Sequence, residues 1–332
     1  MAVDRDLGVA AATAFLSGGG ARGWDMLAAT GARGLRLLAE TGRFSSFLLT
    51  ESHPTATGIL EQNASGVSGA LVRKADARLA PPEAPFDYVD VDPYGSPLPF
   101  LATAMDAVQE GGILAVTATD LMVLAGVQPG ACERLYGSRP VRGRLGPEGG
   151  LRILLARLAR IAKERSRALH PLVAYVRGHH LRAYLRVTSR SETTPPDPID
   201  EVDPARWTGP SLGDRGPYGP MWLGRLFDAS AVGRMVVPTS AARPEDTRKF
   251  LDRIRGEVDV DVPFYYEANE LAAALHLPFP PARTAFADAL ARRGFRMAPT
   301  HARPEGFRTD APRSTVEAIA RGLEPTARPP GA

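Results

Sequence analysis

The chain has 332 residues, a formal net charge of +3 and 44% hydrophobic residues. This length favours two domains, and the hydrophobic content excludes a disordered chain. The single cysteine, Cys132, excludes an internal disulfide and any multi-cysteine metal site, and it suits the reducing cytoplasm. No apolar run approaches the ~20 residues that a membrane-spanning helix needs, so we expect no membrane association.

The N-terminal part begins with a helix signal and continues with a strand and a tight turn. The apolar stretch from Leu7 to Leu16 follows charged residues and predicts a first helix rather than a secretory signal. An apolar strand near Trp24 then leads into the small residues 28–31, after which Gly34 opens a second helix. Small residues let the backbone approach a bound nucleoside at the carboxyl ends of parallel strands. The glycines of G-x-G-x-x-G are absent, so S-adenosylmethionine fits this turn better than a dinucleotide.

Acidic residues follow the next strands in order. Phe47 to Glu51 predicts a buried strand that ends in a carboxylate, the expected partner of ribose hydroxyls. Asp76 follows another short strand, where it can reach an adenine amine. Each acid alone is typical of a solvated strand end, but their ordered succession favours nucleoside binding.

The segment 87–97 reads D-Y-V-D-V-D-P-Y-G-S-P and predicts a strand that delivers Asp92, Pro93 and Tyr94 at its carboxyl end. A carboxylate and a backbone carbonyl accept hydrogen bonds from an exocyclic amine, while an aromatic ring stacks on the base that carries it. Proline fixes φ and removes a competing donor. Asp-Pro and Pro-x-Gly also occur in plain turns, so the trio alone leaves both interpretations open.

The rest of the first half continues the alternation of helices and strands, which predicts an α/β fold with a doubly wound sheet. Helices are expected over His53 to Asn63, Pro99 to Glu110 (ending at Gly111-Gly112) and Glu148 to Ala168. The last of these is amphipathic, with arginines opposite a leucine-rich stripe. Pro171 to Arg177 and Leu181 to Val187 predict a closing antiparallel hairpin.

Charge is distributed unevenly along the chain. Residues 137–190 hold thirteen Arg or Lys residues and two glutamates, and we call these thirteen the arginine belt. A track for RNA phosphates explains this excess of positive charge better than an ordinary charged face does. Only three of the forty basic residues in the chain are lysines, so a general bias toward arginine also contributes. The belt comprises Arg139, Arg142, Arg144, Arg152, Arg157, Arg160, Lys163, Arg165, Arg167, Arg177, Arg182, Arg186 and Arg190.

The second half begins with an acidic, proline-rich stretch that predicts a linker. A smaller mixed domain follows, with helices near Pro244 to Gly256, Glu267 to Leu275 and Ala282 to Arg293. The predicted organisation is therefore a first domain over 1–190, a linker over 191–218 and a C-terminal α+β domain over 219–325.

Motifs along nearly the whole chain resemble one family, the tRNA guanine-26 N2-dimethyltransferases. They include R-D-L at 5–7, A-A-T-G-A-R-G-L-R at 28–36, D-V-D-P-Y-G-S-P at 90–97, G-G-I-L-A-V-T-A-T-D at 111–120, A-C-E-R-L-Y-G at 131–137, G-P-M-W-L-G at 219–224 and T-H-A-R-P-E-G-F-R-T-D-A-P at 300–312. The resemblance implies a Rossmann-like methyltransferase sheet, S-adenosylmethionine as cofactor, and a cytoplasmic, monomeric enzyme that acts on tRNA.

The resemblance also implies roles for particular residues. Asp92, Pro93 and Tyr94 would be the catalytic residues. The cofactor would be bound by Arg5, Thr30, Gly31, Arg33, Glu51, Asp76 and Ala77. With the arginine belt and the 300–312 motif, it suggests tRNA contacts at Arg152, Arg157, Arg160, His301, Arg303 and Arg308.

Departures from the family pattern leave two alternatives open. Many relatives carry cysteine pairs ahead of G-P-x-W, but this region has none, so we expect no metal. Relatives also have an aromatic-containing segment before R-D-L, where this chain has four residues. A catalytically inactive tRNA-binding homologue therefore stays an alternative, as does a methyltransferase for another tRNA purine amine.

Overall fold

The computed structural model describes residues 2–79, 83, 85–213 and 215–322. Within these ranges, seven strands form one sheet in the order β3-β2-β1-β4-β5-β7-β6. They are β1 (Ala21–Asp25), β2 (Phe44–Glu51), β3 (Ala70–Lys74), β4 (Phe86–Val91), β5 (Val108–Ala118), β6 (Arg167–Arg177) and β7 (His180–Ser189). The first five run parallel, and β7 pairs antiparallel with both β5 and β6. The predicted Rossmann-like α/β sheet and its closing hairpin are confirmed.

The strand order changes direction between β1 and β4, which are neighbours in the sheet. The connections from these two strands leave toward opposite edges, so a crevice opens beyond their carboxyl ends. Trp24 and Tyr88 are fully buried on this central pair. Apolar strands covered on both faces therefore fix the position of the polar residues that follow them.

Helices cover the sheet, and all but the fifth and sixth lie where the sequence predicts them. They are α1 (Ala2–Phe15), α2 (Ala32–Thr41), α3 (Pro54–Ala64), α4 (Leu98–Ala107), α5 (Leu121–Leu124), α6 (Pro129–Tyr136) and α7 (Gly146–Lys163). Gly34 lets α2 lie close to β2, because a Cβ there would be 2.3 Å from a methyl carbon of Leu49. The leucine-rich stripe of α7 is buried against β6 and the neighbouring helices.

Two predicted helix ends were wrong. The helix predicted to reach Glu110 ends at Ala107, since Val108 already pairs with β4 and the Gly111-Gly112 pair lies within β5. The helix predicted to reach Ala168 ends at Lys163, because Arg167 and Ala168 pair with β7. In both cases pairing between strands overrides the local helical pattern.

The second half wraps around α7, α1 and the β6 edge. Its elements are β8 (Ile199–Val202), β9 (Tyr218–Trp222), α8 (Ala229–Arg234), α9 (Pro244–Glu257), β10 (Tyr266–Glu267), α10 (Ala268–Ala274), α11 (Arg283–Ala291), β11 (Met297–Pro299), β12 (Gly306–Thr309) and α12 (Arg313–Gly322). β8 pairs with β9, and β12 lies between β10 and β11. Among the described residues no helix is long and apolar enough to cross a membrane.

Two hydrophobic clusters divide the interior. The larger one joins the seven-stranded sheet to later residues as far as Phe264, and the smaller one contains Tyr266, Phe286, Phe307 and Val316. The segment predicted as a linker contributes Val202 and Leu212 to the larger cluster. Asp214 of that segment and residues 323–325 of the predicted C-terminal domain lie outside the described residues. The domain boundaries stay predictions.

Candidate active site

The predicted catalytic turn follows β4 at the carboxyl edge of the sheet. Pro93 is buried, whereas the side chain of Tyr94 is 99% exposed. The Gly95 amide donates to Thr119 Oγ1 at 2.6 Å, and the Thr119 amide donates to the Gly95 carbonyl at 3.0 Å. These bonds fasten the turn to the end of β5. An aromatic face is thus presented to solvent on a fixed backbone, beside Asp92.

Asp92 is held in its ionised form by two arginines. Arg33, at the start of α2, donates from Nη2 to Asp92 Oδ2 at 2.5 Å. Burial favours the neutral acid, but Arg33 and then Arg182 outweigh it and hold the pKa of Asp92 below its usual range. At neutral pH the side chain is therefore an acceptor, as hydrogen bonding to an amine requires.

Asp90, two residues earlier, is committed to the interior. Arg182 donates to both of its oxygens, at 2.9 Å and 2.6 Å, and the Tyr88 hydroxyl donates to it at 2.8 Å. Arg182 also donates to Thr117 Oγ1 at 2.8 Å. All four residues are buried. This network supports the ends of β4 and β5 from below and leaves Asp92 as the carboxylate that faces the crevice.

Asp25, at the end of β1, is a site residue that sequence reasoning missed. Its 2% exposed carboxylate accepts from the Leu27 amide at 3.2 Å and lies opposite Asp90 in the strand pairing. Burial, followed by the negative charge of Asp90, raises its pKa from 3.8 to about 7. The only signal in the sequence was an acid at the end of the strand that precedes the small-residue turn.

We expect the raised pKa of Asp25 to appear in the pH dependence of stability. Between about pH 4 and 7 the folded protein holds a proton that the unfolded chain releases, so stability falls as the pH rises through this window. Asp25→Asn should reduce that fall, measured by thermal unfolding at pH 5 and pH 8. Asp106→Asn, at an exposed carboxylate, is the control. An unchanged pH slope in Asp25→Asn would contradict the assignment.

The small-residue turn after β1 forms one wall of the crevice. Gly31 has φ of +80°, and a Cβ there would be 2.6 Å from a methyl carbon of Leu60. The Thr30 carbonyl accepts from the side-chain amide of Asn63 at 2.9 Å, which connects the turn to α3. Glycine is therefore required for both conformation and space, and the exposed backbone of Thr30 borders the crevice.

Glu51, at the end of β2, connects two turns. Its Oε2 accepts from the Ala29 amide at 2.9 Å, and its Oε1 accepts from the amides of Ser52 at 2.8 Å and His53 at 2.7 Å. Three backbone donors orient this carboxylate at the same edge as Asp25 and Asp92. The arrangement matches the acid that a ribose requires at this position in the fold.

Asp76, after β3, is paired with its neighbour Arg78. Arg78 donates to it from the side chain at 2.5 Å and from the backbone at 2.9 Å, and these bonds lower the pKa of Asp76 to about 2. The pair is solvent-accessible and weak enough for a ligand amine to share the carboxylate. Ala77, the next residue, is buried.

Two polar atoms beside Asp92 have no partner within the described structure. Arg33 Nη1 and the Tyr184 hydroxyl are both buried without a hydrogen bond, and both lie near Gly8 on α1. Arg5, on the same helix, is partly buried and has no hydrogen bond or ion pair among the described residues. A buried donor without a partner is costly. The carboxylate of the predicted cofactor would satisfy Arg33, so the residues present fit S-adenosylmethionine.

Three of the predicted tRNA contacts were wrong, because their side chains lie inside the protein. Arg152 and Arg308 are 0% exposed and both donate to Glu148, at 2.8 Å and 2.9 Å. Arg308 also pairs with Glu257, whose Oε1 lies 2.7 Å from Nδ1 of the buried His301. These charges join α7 to the C-terminal half. Charge counting along the sequence could not detect that Arg308 pairs with Glu148, 160 residues away.

The other predicted tRNA contacts are partly or fully accessible. Arg157 is half-buried on α7. Arg160, also half-buried, donates to the Tyr136 carbonyl at 2.5 Å. Arg303 is exposed, with its Nε 3.7 Å from Glu267.

Much of the arginine belt contributes to the fold of the protein itself. Many of its members donate to groups of the protein itself, which explains their number without RNA. These are Arg165, Arg167, Arg177, Arg182, Arg186 and Arg190. Arg139 and Arg142 are exposed and form no ion pair with a described residue.

The described residues contain no group of three or more His, Cys, Asp or Glu side chains that could hold a metal ion. Cys132 is buried, and burial raises the pKa of its thiol to about 12. A thiol of this kind is a poor nucleophile and a poor metal ligand. The site therefore offers acid, amide and aromatic groups for its chemistry.

The strand order, with acids ending β1, β2 and β4 around the crevice, defines a Rossmann-like methyltransferase fold. A model of the family described as N2,N2-dimethylguanosine tRNA methyltransferase matches residues 1–195 and 212–321. The chain belongs to this family.

Relatives and a solved structure agree with that assignment. A tRNA (guanine(26)-N(2))-dimethyltransferase of Thermococcus kodakarensis is 36% identical over 249 residues, which are 72% of this chain and 65% of the relative. One from Mus musculus is 31% identical over 72% of this chain and 42% of its own length. The chain therefore spans less than two thirds of the length of such relatives. The structure of Trm1 from Pyrococcus horikoshii with S-adenosyl-L-methionine superposes with a TM-score of 0.83 at 28% identity, covering 96% of this chain and 92% of that one.

Proposed function

We propose that this protein transfers two methyl groups, one after the other, from S-adenosylmethionine to the exocyclic N2 amine of guanine 26 in tRNA. The observation that carries the proposal is an ionised Asp92 beside a fully exposed Tyr94 at the mouth of the crevice. Membership of the family supports the choice of substrate. We further propose that it acts as a monomer in the cytoplasm.

The residues that would hold the cofactor surround the carboxyl ends of β1, β2 and β3. Arg33 Nη1 would donate to the carboxylate of the cofactor, with Arg5 nearby on α1, and Glu51 would accept from the ribose hydroxyls of the cofactor. Asp76 and the Ala77 backbone would contact its adenine, and Thr30 and Gly31 would line its path. When bound, the sulfonium supplies an electrophilic methyl group. The protein therefore needs no strong base to activate the guanine amine.

Asp92 and Pro93 would position the attacking nitrogen. The Asp92 carboxylate accepts one amine N–H and the Pro93 carbonyl accepts the other, which aims the nitrogen lone pair toward the methyl donor. As the nitrogen gains positive charge, the fixed negative charge of Asp92 stabilises it. Once the N–C bond has formed and the S–C bond has broken, the cofactor would leave as a neutral thioether and the nitrogen would release one proton to the Asp92 carboxylate, which passes it to solvent. One N–H would remain, so Asp92 could orient the same amine for the second transfer.

Tyr94 would stack on the guanine once it has left the tRNA helix. Turning a base out costs a few kcal/mol, and an exposed ring on a fixed turn recovers part of that cost. Arg157, Arg160 and Arg303 stay candidates for contacts to tRNA phosphates. Their partial exposure supports this role.

Cofactor binding should depend strongly on Glu51. In calorimetry with S-adenosylmethionine, we expect Glu51→Ala to weaken binding about 10- to 100-fold, because hydrogen bonds to a charged group contribute about 1.5–3 kcal/mol. Asp76→Ala should weaken it less, because Arg78 already shares that carboxylate. Glu61→Ala, at an exposed glutamate of α3, is the control. No heat from the folded wild-type protein at millimolar cofactor would favour the inactive tRNA-binding alternative.

The test of the activity is methylation of an unmodified tRNA transcript with isotopically labelled cofactor, followed by nucleoside analysis. We expect N2-methylguanosine early and N2,N2-dimethylguanosine late, both absent from a transcript with adenine at position 26. Label in a methylated adenine, or at another guanine, would instead support a methyltransferase for a different purine amine.

A further inference from the structure

A cleft of about 670 Å³ lies between the two halves of the protein, and no residue predicted for catalysis or cofactor binding lines it. Its walls come from residues 142–145 ahead of α7, residues 210–213, 215 and 218 of the segment that was predicted as a linker, residue 265 and β10, and the helices α10 and α12. This volume is in the range of pockets that bind small molecules and nucleotides.

The walls of this interdomain cleft are largely apolar and aromatic. Leu145, Leu212 and Leu271 contribute aliphatic surface, and Tyr218 and Tyr265 contribute rings. Such walls suit a flat heterocycle, because aromatic and aliphatic faces stack on bases without distinguishing between them. Selection among bases must then come from polar atoms in the cleft.

Two buried polar atoms in the cleft have no hydrogen-bond partner in the described structure: the Tyr266 hydroxyl and Glu267 Oε1. Both residues are 7% exposed. The other oxygen of Glu267 pairs with Arg144, and Arg303 Nε is 3.7 Å from Oε1, too far for a hydrogen bond. An unsatisfied buried acceptor is costly, so a ligand with N–H groups would be stabilised here.

The rim carries positive charge that the protein does not neutralise. Arg142 and Arg215 are exposed and have no acidic partner among the described residues, whereas Arg144 and Arg313 are paired with glutamates. A cleft with apolar walls, a buried carboxylate oxygen without a hydrogen bond in its lining and exposed guanidinium groups at its rim matches a nucleotide with donors on its base edge and a phosphate at its other end.

We propose that this cleft binds a second, unstacked guanine nucleotide of the tRNA, distinct from the one that is methylated. Among the four bases only guanine presents two adjacent N–H donors, N1–H and the N2 amine, and these can share Oε1, the one oxygen of Glu267 that has no hydrogen bond in the described structure. The ring acceptors of adenine and cytosine would oppose the same carboxylate. The Tyr266 hydroxyl binds a further edge atom, and Arg142 and Arg215 bind the phosphate. This inference rests on the proposed function.

The variant Tyr266→Phe tests the proposal with little risk to folding, since the hydroxyl it removes has no partner in the described structure. Affinity of the full chain for a tRNA transcript should fall about three- to tenfold, the effect of one lost hydrogen bond. Arg142→Ala/Arg215→Ala should lower affinity and flatten the dependence on log salt by about 0.7–0.9, because the two arginines together neutralise one phosphate. Arg248→Ala, on α9 outside the cleft, should leave tRNA affinity and methylation unchanged.

A free guanine nucleotide shares this chemistry, so 5′-guanosine monophosphate serves as the second probe. It should displace tRNA from the wild-type protein better than adenosine monophosphate does, and Glu267→Gln should remove that difference, whereas Tyr266→Phe should only reduce it. Binding of guanosine monophosphate that leaves tRNA affinity untouched would overturn the proposal and assign the cleft to a free nucleotide. A wild-type protein that methylates tRNA while all cleft variants bind it normally overturns this inference alone. Absence of tRNA methylation by the wild type overturns the proposed function itself.

Discussion

Replacing Asp92 with alanine is expected to lower the rate of methyl transfer at least about 100-fold, because the carboxylate orients the amine and stabilises its developing charge. Binding of cofactor and tRNA should change little, since the reacting nitrogen is the only ligand atom that Asp92 would contact. Single-turnover kinetics with saturating cofactor and tRNA would measure the chemical step. Asp92→Asn, which preserves shape but removes charge, should also be strongly impaired.

The control for Asp92→Ala is Asp106→Ala, which removes an exposed carboxylate paired with Arg165 on the surface. If Asp92→Ala keeps activity within tenfold of wild type, its assigned role is wrong. Asp25 would then be the carboxylate to examine next. Asp90 is excluded from that role because Arg182 occupies both of its oxygens.

Removing Arg308 is expected to destabilise the fold by about 3–5 kcal/mol, the cost of breaking a buried ion pair from one side. Arg308→Ala would leave Glu148 and Glu257 buried with too few donors. Denaturant unfolding measures the loss. Arg248→Ala, which breaks an exposed pair with Glu245, should cost less than about 1 kcal/mol. Equal stability of the two variants would contradict the importance of the buried cluster.

The buried charges of Glu148, Glu257, His301 and Arg308 also predict how stability changes in acid. Burial opposes ionisation of Glu257, but His301 and Arg308 outweigh it and lower its pKa from 4.5 to about 2. The folded state thus binds fewer protons than the unfolded state, so this stabilisation is present above about pH 4.5 and is lost as the pH falls toward 2. In Arg308→Ala that part of the acid transition should shift to higher pH.

Local sequence patterns were sufficient for the sheet and for its catalytic edge. The strand that ends at Glu51 and the strand that precedes Asp92 are short apolar runs followed by acids, and each signal lies within a few adjacent residues. The glycine at position 31 was likewise predictable, because a turn at this point requires backbone that passes close to a ligand. Resemblance to the family then related these separate local signals to one reaction, methyl transfer from S-adenosylmethionine.

Features that depend on distant partners were not predictable in this way. Arg308 resembles an RNA-binding residue in the sequence, yet it neutralises Glu148, 160 residues away, in the interior. The raised pKa of Asp25 follows from burial beside Asp90, which is sixty-five residues further along the chain. Helix ends also depended on tertiary pairing, since β6 begins where the amphipathic pattern of α7 was expected to continue. In each case the interaction is set by packing across the sheet or between the two halves.

The most direct test of the central claim compares two tRNAs that differ by one exocyclic amine. One carries guanine at position 26 and the other carries inosine, which lacks the N2 amine but keeps the rest of the base. With labelled S-adenosylmethionine, we expect two methyl groups per guanine-containing tRNA and none in the inosine-containing tRNA, although both bind equally within a few-fold. Methyl transfer to the inosine-containing tRNA at a similar rate would contradict the account, because the methyl group would then be on an atom that Asp92 does not position.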